Sequence, residues 1–216
     1  ASKSYLSIGE IMLRGAIYYD GFNLYHAVDE LDQPYLKWCD LWKLGELVAK
    51  GKASSIERAI FCTAYFPGNH GKRIRHEAYV NALALVGVET RLGHTTKEPM
   101  ECAHPDCDHR WDQPREKETD INLALAVYED AHDDAFDVAF IVTADTDQAA
   151  TFRAIKLRFP DKRIELQLRK ADEVLANRAG LAPNIALKMN LSSACIYPIR
   201  QLNITANGDI GYCCQD

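Results

Sequence analysis

Apolar residues along the chain fall into short β-prone runs separated by longer amphipathic stretches. The first run, Ala16-Ile17-Tyr18-Tyr19, stops at Asp20-Gly21, and from Asn23 onward the apolar spacing becomes helical. That pattern reads as strand, turn, helix. Further runs of the first kind lie at 59–65, 88–92, 138–142 and 164–168, and helical spacing is predicted over 41–49, 73–85, 120–131 and 149–157. Strands alternating with helices predict an α/β fold with a parallel sheet covered by helices on both faces. The run at 138–142 has no polar residue, which predicts a place at the centre of the sheet.

Two segments break this order. Residues 94–116 contain His94, Pro99, Cys102, His104, Pro105, Cys107, His109 and Pro114, a composition that resists helix and strand and predicts an inserted loop. Near the end, Leu202-Asn203-Ile204 and Ile210-Gly211-Tyr212 flank Asn207-Gly208, the strongest short signal for a hairpin. The reading is one domain over 15–190, carrying the insert, and an extension over 191–216.

Length and composition agree with that organisation: 216 residues, 47% of them hydrophobic, suffice for one well-buried domain. No apolar run approaches the roughly 18 residues of a membrane span, and no basic-then-apolar leader is present. The expectation is a soluble, cytoplasmic protein with no membrane contact. Residues 1–11 precede Met12 and are set aside. Seven cysteines are an odd and unevenly spaced set, which favours reduced thiols or a metal site over a disulfide scaffold. A net charge of −6 argues against gripping nucleic acid over the whole surface, because such binding runs on neutralised phosphates. A local basic face beside an acidic site remains open.

Acidic residues fall where a site would form. Asp20 follows the first strand, Asp145 and Asp147 follow the strand at 138–142, and Asp120 opens a helix. Ligands of parallel α/β sheets bind off the carboxyl ends of the strands, and carboxylates from three elements meeting there would suit magnesium or manganese. Each aspartate also has an ordinary structural role as a turn or helix-capping residue. Their joint placement on one side of the sheet is what points to chemistry.

Three strings carry a resemblance: Tyr18-Tyr19-Asp20-Gly21-Phe22-Asn23-Leu24-Tyr25, then Glu116-Lys117-Glu118-Thr119-Asp120, then Ile141-Val142-Thr143-Ala144-Asp145-Thr146-Asp147. In order and spacing they are similar to the motifs of NYN domains, the PIN-like group that includes LabA-like proteins. The resemblance implies a PIN-like fold, a divalent metal (Mg2+ or Mn2+) and RNA as substrate and partner, with Asp20, Asn23, Asp120, Asp145 and Asp147 at the matching positions. The chain departs from the common pattern at Glu118, at Thr143-Ala144 and at Gln148. Metal-assisted hydrolysis of a phosphodiester fits: Asp20, Asp120 and Asp145 hold one or two ions, Asp147 is a further ligand or base, and Asn23 and Thr143 hydrogen-bond around them.

Beyond the strand at 59–65, a turn leads into Lys72, Arg73, Arg75 and His76. A loop at a helix start can offer backbone N–H groups and cations to phosphate, so Lys72, Arg73 and Arg75 are expected to contact RNA. Within the insert, Cys102, His104, Cys107 and His109 place four zinc-type ligands close together and predict structural zinc; His94 competes as a ligand. Cys195, Cys213 and Cys214 lack the cluster that an iron–sulfur centre needs. The segment Asp145-Thr146-Asp147 also resembles the nucleophile motif of haloacid dehalogenase phosphatases, but that motif opens its domain and too little chain follows here. The stronger rival is an RNA-binding or interaction module without turnover. Self-association is left open.

Overall fold

The computed structural model describes residues 12–102, 104, 107–167, 202–204 and 210–212. The expected extension over 191–216 lies outside these residues apart from Leu202–Ile204 and Ile210–Tyr212, which pair antiparallel.

Strand β1 (Arg14–Asp20) is buried from Gly15 to Asp20. Its alternate residues face opposite ways, so that Ala16 and Tyr18 enter one core while Ile17 and Tyr19 enter the other. Around it stand β2 (Ser55–Thr63), β3 (Glu89–Leu92), β6 (Val138–Val142) and β7 (Arg163–Gln167), in a five-stranded sheet of order β3-β2-β1-β6-β7. All four pairings are parallel. Apolar stripes of α1 (Gly21–Asp29), α2 (Leu41–Ala49) and α3 (His70–Leu85) cover one face. Those of α4 (Thr119–His132) and α5 (Ala149–Arg158) cover the other, through Leu123, Ala126, Val127, Phe152 and Ile155. This is the doubly covered sheet that the alternation of elements predicts.

Burial of the two tyrosines of β1 requires a partner for each hydroxyl. Tyr18 donates to Asp130 Oδ2 at 2.7 Å, where Arg58 Nε also lies at 3.1 Å. Tyr19 donates to the carbonyl of Leu41 at 2.7 Å. Both are therefore structural and fasten helices to the middle strand.

Two expectations are corrected. The centre of the sheet is β1, with the wholly apolar β6 beside it. Burial on both faces requires helices above and below a strand, and that condition holds for a neighbour of the central strand as well. Residues 94–116 are not an irregular loop. They form an antiparallel ribbon of β4 (His94–Glu101) and β5 (Arg110–Lys117). The Cys102 N–H donates to the His109 carbonyl at 2.9 Å, in register with the pairing of His94 and Lys117, so hydrogen-bonded pairs fall on the even-numbered residues of β4. Pro99 and Pro114 occupy the other class of pair, where a missing N–H costs no ladder bond.

Connectivity creates the site. From β1 the chain runs outward to β2 and β3 on one side, and later fills β6 and β7 on the other. The strand order thus reverses between β1 and β6, where the carboxyl ends leave a crevice between diverging connections. Asp20 ends β1, and the loop after β6 carries Thr143 to Asp145.

Candidate active site

Asp20 is 2% exposed and doubles as the N-cap of α1. Its Oδ1 accepts from the Asn23 N–H at 3.0 Å. Its Oδ2 accepts from the Asn23 amide nitrogen Nδ2 and from the Thr143 hydroxyl, the latter at 2.8 Å. Neutral donors fix the carboxylate without cancelling its charge. Helix α1 can start this close to β2 because residue 21 is glycine: a Cβ there would stand 2.7 Å from the Cys62 carbonyl oxygen.

The Thr143 hydroxyl also accepts from the Asp145 N–H at 3.1 Å. One side chain thereby ties the end of β1 to the loop after β6. Asp145 in turn accepts from the Asp147 N–H at 2.9 Å through Oδ1, leaving Oδ2 for other work. Asp120 stands in the first turn of α4, which Glu118 enters with φ of 72°. The buried Gln148 donates to the Asp120 carbonyl at 2.8 Å, joining the start of α4 to the segment that carries Asp145 and Asp147.

These elements bring the acids within electrostatic reach of one another. Asp120 keeps part of its surface in solvent, yet its carboxyl is held above the ordinary range, first by burial and then by the charges of Asp145, Asp20 and Asp147. Glu116, at the end of β5, is raised by burial and by Asp20 and Asp120, and its Oε1 is buried without a hydrogen-bond partner. Three motifs, in chain order, therefore meet at the reversal point of a parallel sheet. A model of the NYN domain family matches residues 14–179.

The chain belongs to the NYN domain family. The NYN domain has a PIN-like nuclease fold, and the sheet and flanking helices described above conform to it. A crystal structure of a protein of unknown function from Vibrio parahaemolyticus is similar at 19% identity and a TM-score of 0.48, over 79% of this chain and 91% of that one. Comparison with curated proteins gave no match.

In this NYN domain, Asp145 is half-buried and Asp147 exposed. Among the described residues no three His, Cys, Asp or Glu side chains gather tightly enough to enclose an ion by themselves. The donor set is nevertheless all carboxylate oxygen, and magnesium takes only one or two carboxylates with water and substrate phosphate. Any one or two of Asp20, Asp120 and Asp145 offer the donor type that this mode of binding uses.

At the hairpin tip the structure brings together only part of the expected zinc set. The Cys102 thiol is lowered by a backbone hydrogen bond from His104 and by the side chain of Cys107, so these two sulfurs are neighbours. The His109 ring stacks on Trp111 at 5.5 Å between centroids. Cys195, Cys213 and Cys214 lie outside the described residues.

Of the basic residues, Arg73 pairs with Glu77 at 2.8 Å and lies over the Tyr65 ring. Lys72 and Arg75 instead line a cavity that reaches Gly21 and Glu116 beside the acidic cluster. Sequence reasoning gave no role to Glu116, which stood inside a motif string, or to Gln148, which registered only as a departure from the family pattern. Their roles depend on which helix starts meet in space.

Proposed function

We propose that this NYN domain is a divalent-metal-dependent ribonuclease that hydrolyses phosphodiester bonds. The observation that supports it is the gathering of Asp20, Asp120, Asp145 and Asp147 at the carboxyl edge of the sheet, with Asp120 held above its ordinary range by burial and then by the charges of the other three. Mutual repulsion of this kind is a cost of folding, and such perturbed groups mark functional sites. Hard cations are the ligands that remove it.

Asp20, Asp120 and Asp145 are the residues to hold magnesium or manganese, which when bound supplies charge for the phosphoryl oxygens and acidifies water. The chain's own contribution is orientation. Asn23 and Thr143 hold both oxygens of Asp20 in place, and the Asp147 N–H holds one oxygen of Asp145. Exposed Asp147 is positioned to take a proton from attacking water. Lys72 and Arg75 supply cations to the strand on either side of the scissile phosphate.

Labelled single-stranded RNA incubated with manganese, magnesium or chelator tests this. Wild type should cleave only with metal. Asp145→Asn removes charge but little volume, and should lower cleavage by at least about 100-fold, since even outer-shell partners of a metal cost about 10- to 100-fold. RNA affinity should hold or rise, because a repulsive charge is gone. Wild type that binds RNA with metal present and never cuts it would establish the module reading instead.

A further inference from the structure

Beside the acidic cluster the fold leaves a cavity of about 700 Å³, within the range of sites that enclose small organic ligands, about 300–1,000 Å³. Its walls follow from local sequence. Helix α1 carries Phe22 and Tyr25 one turn apart, the loop after β2 carries Phe66, and Tyr79 comes from α3. A soluble domain ordinarily buries such rings against one another. Here Phe22 remains 57% exposed, and Tyr25 and Phe66 44% each.

The rim is selective in charge and polarity. Lys72 stands over the Phe66 ring, 5.8 Å from its centroid, and Arg75 lies on the same wall. Deeper in, the Thr63 hydroxyl and His76 Nε2 lie 3.2 Å apart. Burial lowers the His76 imidazole, so at neutral pH it is uncharged, with one donor and one acceptor nitrogen. The cavity also shares Gly21, Thr63 and Glu116 with the crevice that holds Asp20. Flat aromatic surface, a few polar groups, rim cations and continuity with a phosphodiester-cleaving site describe one occupant.

We propose that this cavity takes an unstacked nucleobase of the RNA strand, stacked on Phe66 and flanked by Tyr25 and Phe22, with its neighbouring phosphates drawn to Lys72 and Arg75. The assignment rests on the ribonuclease reading and adds a subsite to it. An apolar protein segment would fill the rings equally well but would make no use of the two rim cations. A nucleotide uses both features. Base stacking on an aromatic ring tolerates any base, so the subsite anchors single strands and excludes a base held in a duplex.

The test is equilibrium binding of fluorescent RNA hexamers in chelator, where affinity is read without turnover. One hexamer is intact and the others carry a single abasic position each, so the protein is unaltered. Wild type should lose roughly ten-fold in affinity at one abasic position, the scale of a base–aromatic stack. Phe66→Ala should lose a similar factor with the intact hexamer, and should lose little more with that abasic one, because both changes remove the same contact. Phe66→Trp should retain binding. If every abasic hexamer binds wild type as the intact one does, or if Phe66→Ala binds unchanged, the base subsite is overturned while metal-dependent cleavage leaves the ribonuclease reading standing. If wild type binds no RNA and cleaves none, both fall.

Discussion

Thr143 shows how much of the site depends on one hydroxyl. It donates to Asp20 and accepts from the Asp145 backbone while 2% exposed, so water cannot replace it. Thr143→Val should cost about 1–3 kcal/mol in urea unfolding, the scale of stranding buried partners. Cleavage should fall about 10- to 100-fold, as for other residues that orient metal ligands, and Thr143→Ser should restore most of it. Asp120 gives a pH signature with a definite sign. Its carboxyl is raised in the folded state by burial and then by Asp145, Asp20 and Asp147, so the folded chain holds this proton more tightly than the unfolded chain. The stability contributed is fully present below the ordinary carboxylate range and is lost as pH rises through the raised value. In calorimetry of metal-free protein, Asp120→Asn should gain on wild type as pH rises from about 3 to 7. A flat difference across that range would mean that Asp120 does not feel the other acids.

At the scale of elements, the β4–β5 ribbon shows how alternation can be hidden by chemistry. Prolines in both strands and cysteines and histidines at its tip suggest a loop, yet Pro99 and Pro114 both fall on non-hydrogen-bonded pairs, so the ladder survives. Ion pairs of Glu98 with Arg115 and Lys117 cross it at 3.1 and 2.9 Å. An isolated two-stranded ribbon is marginal in water. Its tip places Cys102 beside Cys107, with His104 and His109 on the same turn. We propose zinc there as the clip, reached by rotation of those histidines. Elemental analysis of protein purified without added metal should show about one zinc per chain, absent after Cys102→Ser with Cys107→Ser. Zinc unaffected by the double change would place the metal elsewhere.

On the scale of the whole molecule, the proposed ribonuclease function requires a net charge of −6 to coexist with RNA binding. On that proposal the geometry suffices: Lys72 and Arg75 line the cavity beside the acidic cluster, while other cations such as Arg73, Arg91 and Lys162 are spent on ion pairs. Titrating RNA affinity between 50 and 200 mM salt should give a log–log slope that falls by roughly 0.7 for each phosphate contact removed from a single strand. Lys72→Ala and Arg75→Ala should each produce about that change, and Arg73→Ala a smaller one. Equal effects from all three would mean that the Glu77 pair opens on binding. Among the described residues no helix is long and apolar enough to cross a membrane.

The sequence by itself determined the alternation of strands and helices, and with it a parallel sheet covered on both faces, because apolar period is a local property that burial then enforces. It also marked Asp20, Asp120, Asp145 and Asp147, which follow strands or open a helix, and through the family resemblance Asn23. Tertiary structure decided what depends on which ends meet. The sheet order sets β1 rather than β6 at the centre and brings three motifs to one crevice. Packing of helix starts brings Glu116 into the field of Asp20 and Asp120 and turns Gln148 into a tie to the Asp120 backbone. Pairing across 23 residues made a ribbon of 94–116, a choice that long-range hydrogen bonds make and local propensity cannot. The exposed aromatic cavity arises in the same way: Phe22 and Tyr25 lie on α1 and Phe66 in the loop after β2, each readable as core, and only the closed fold leaves them facing solvent together.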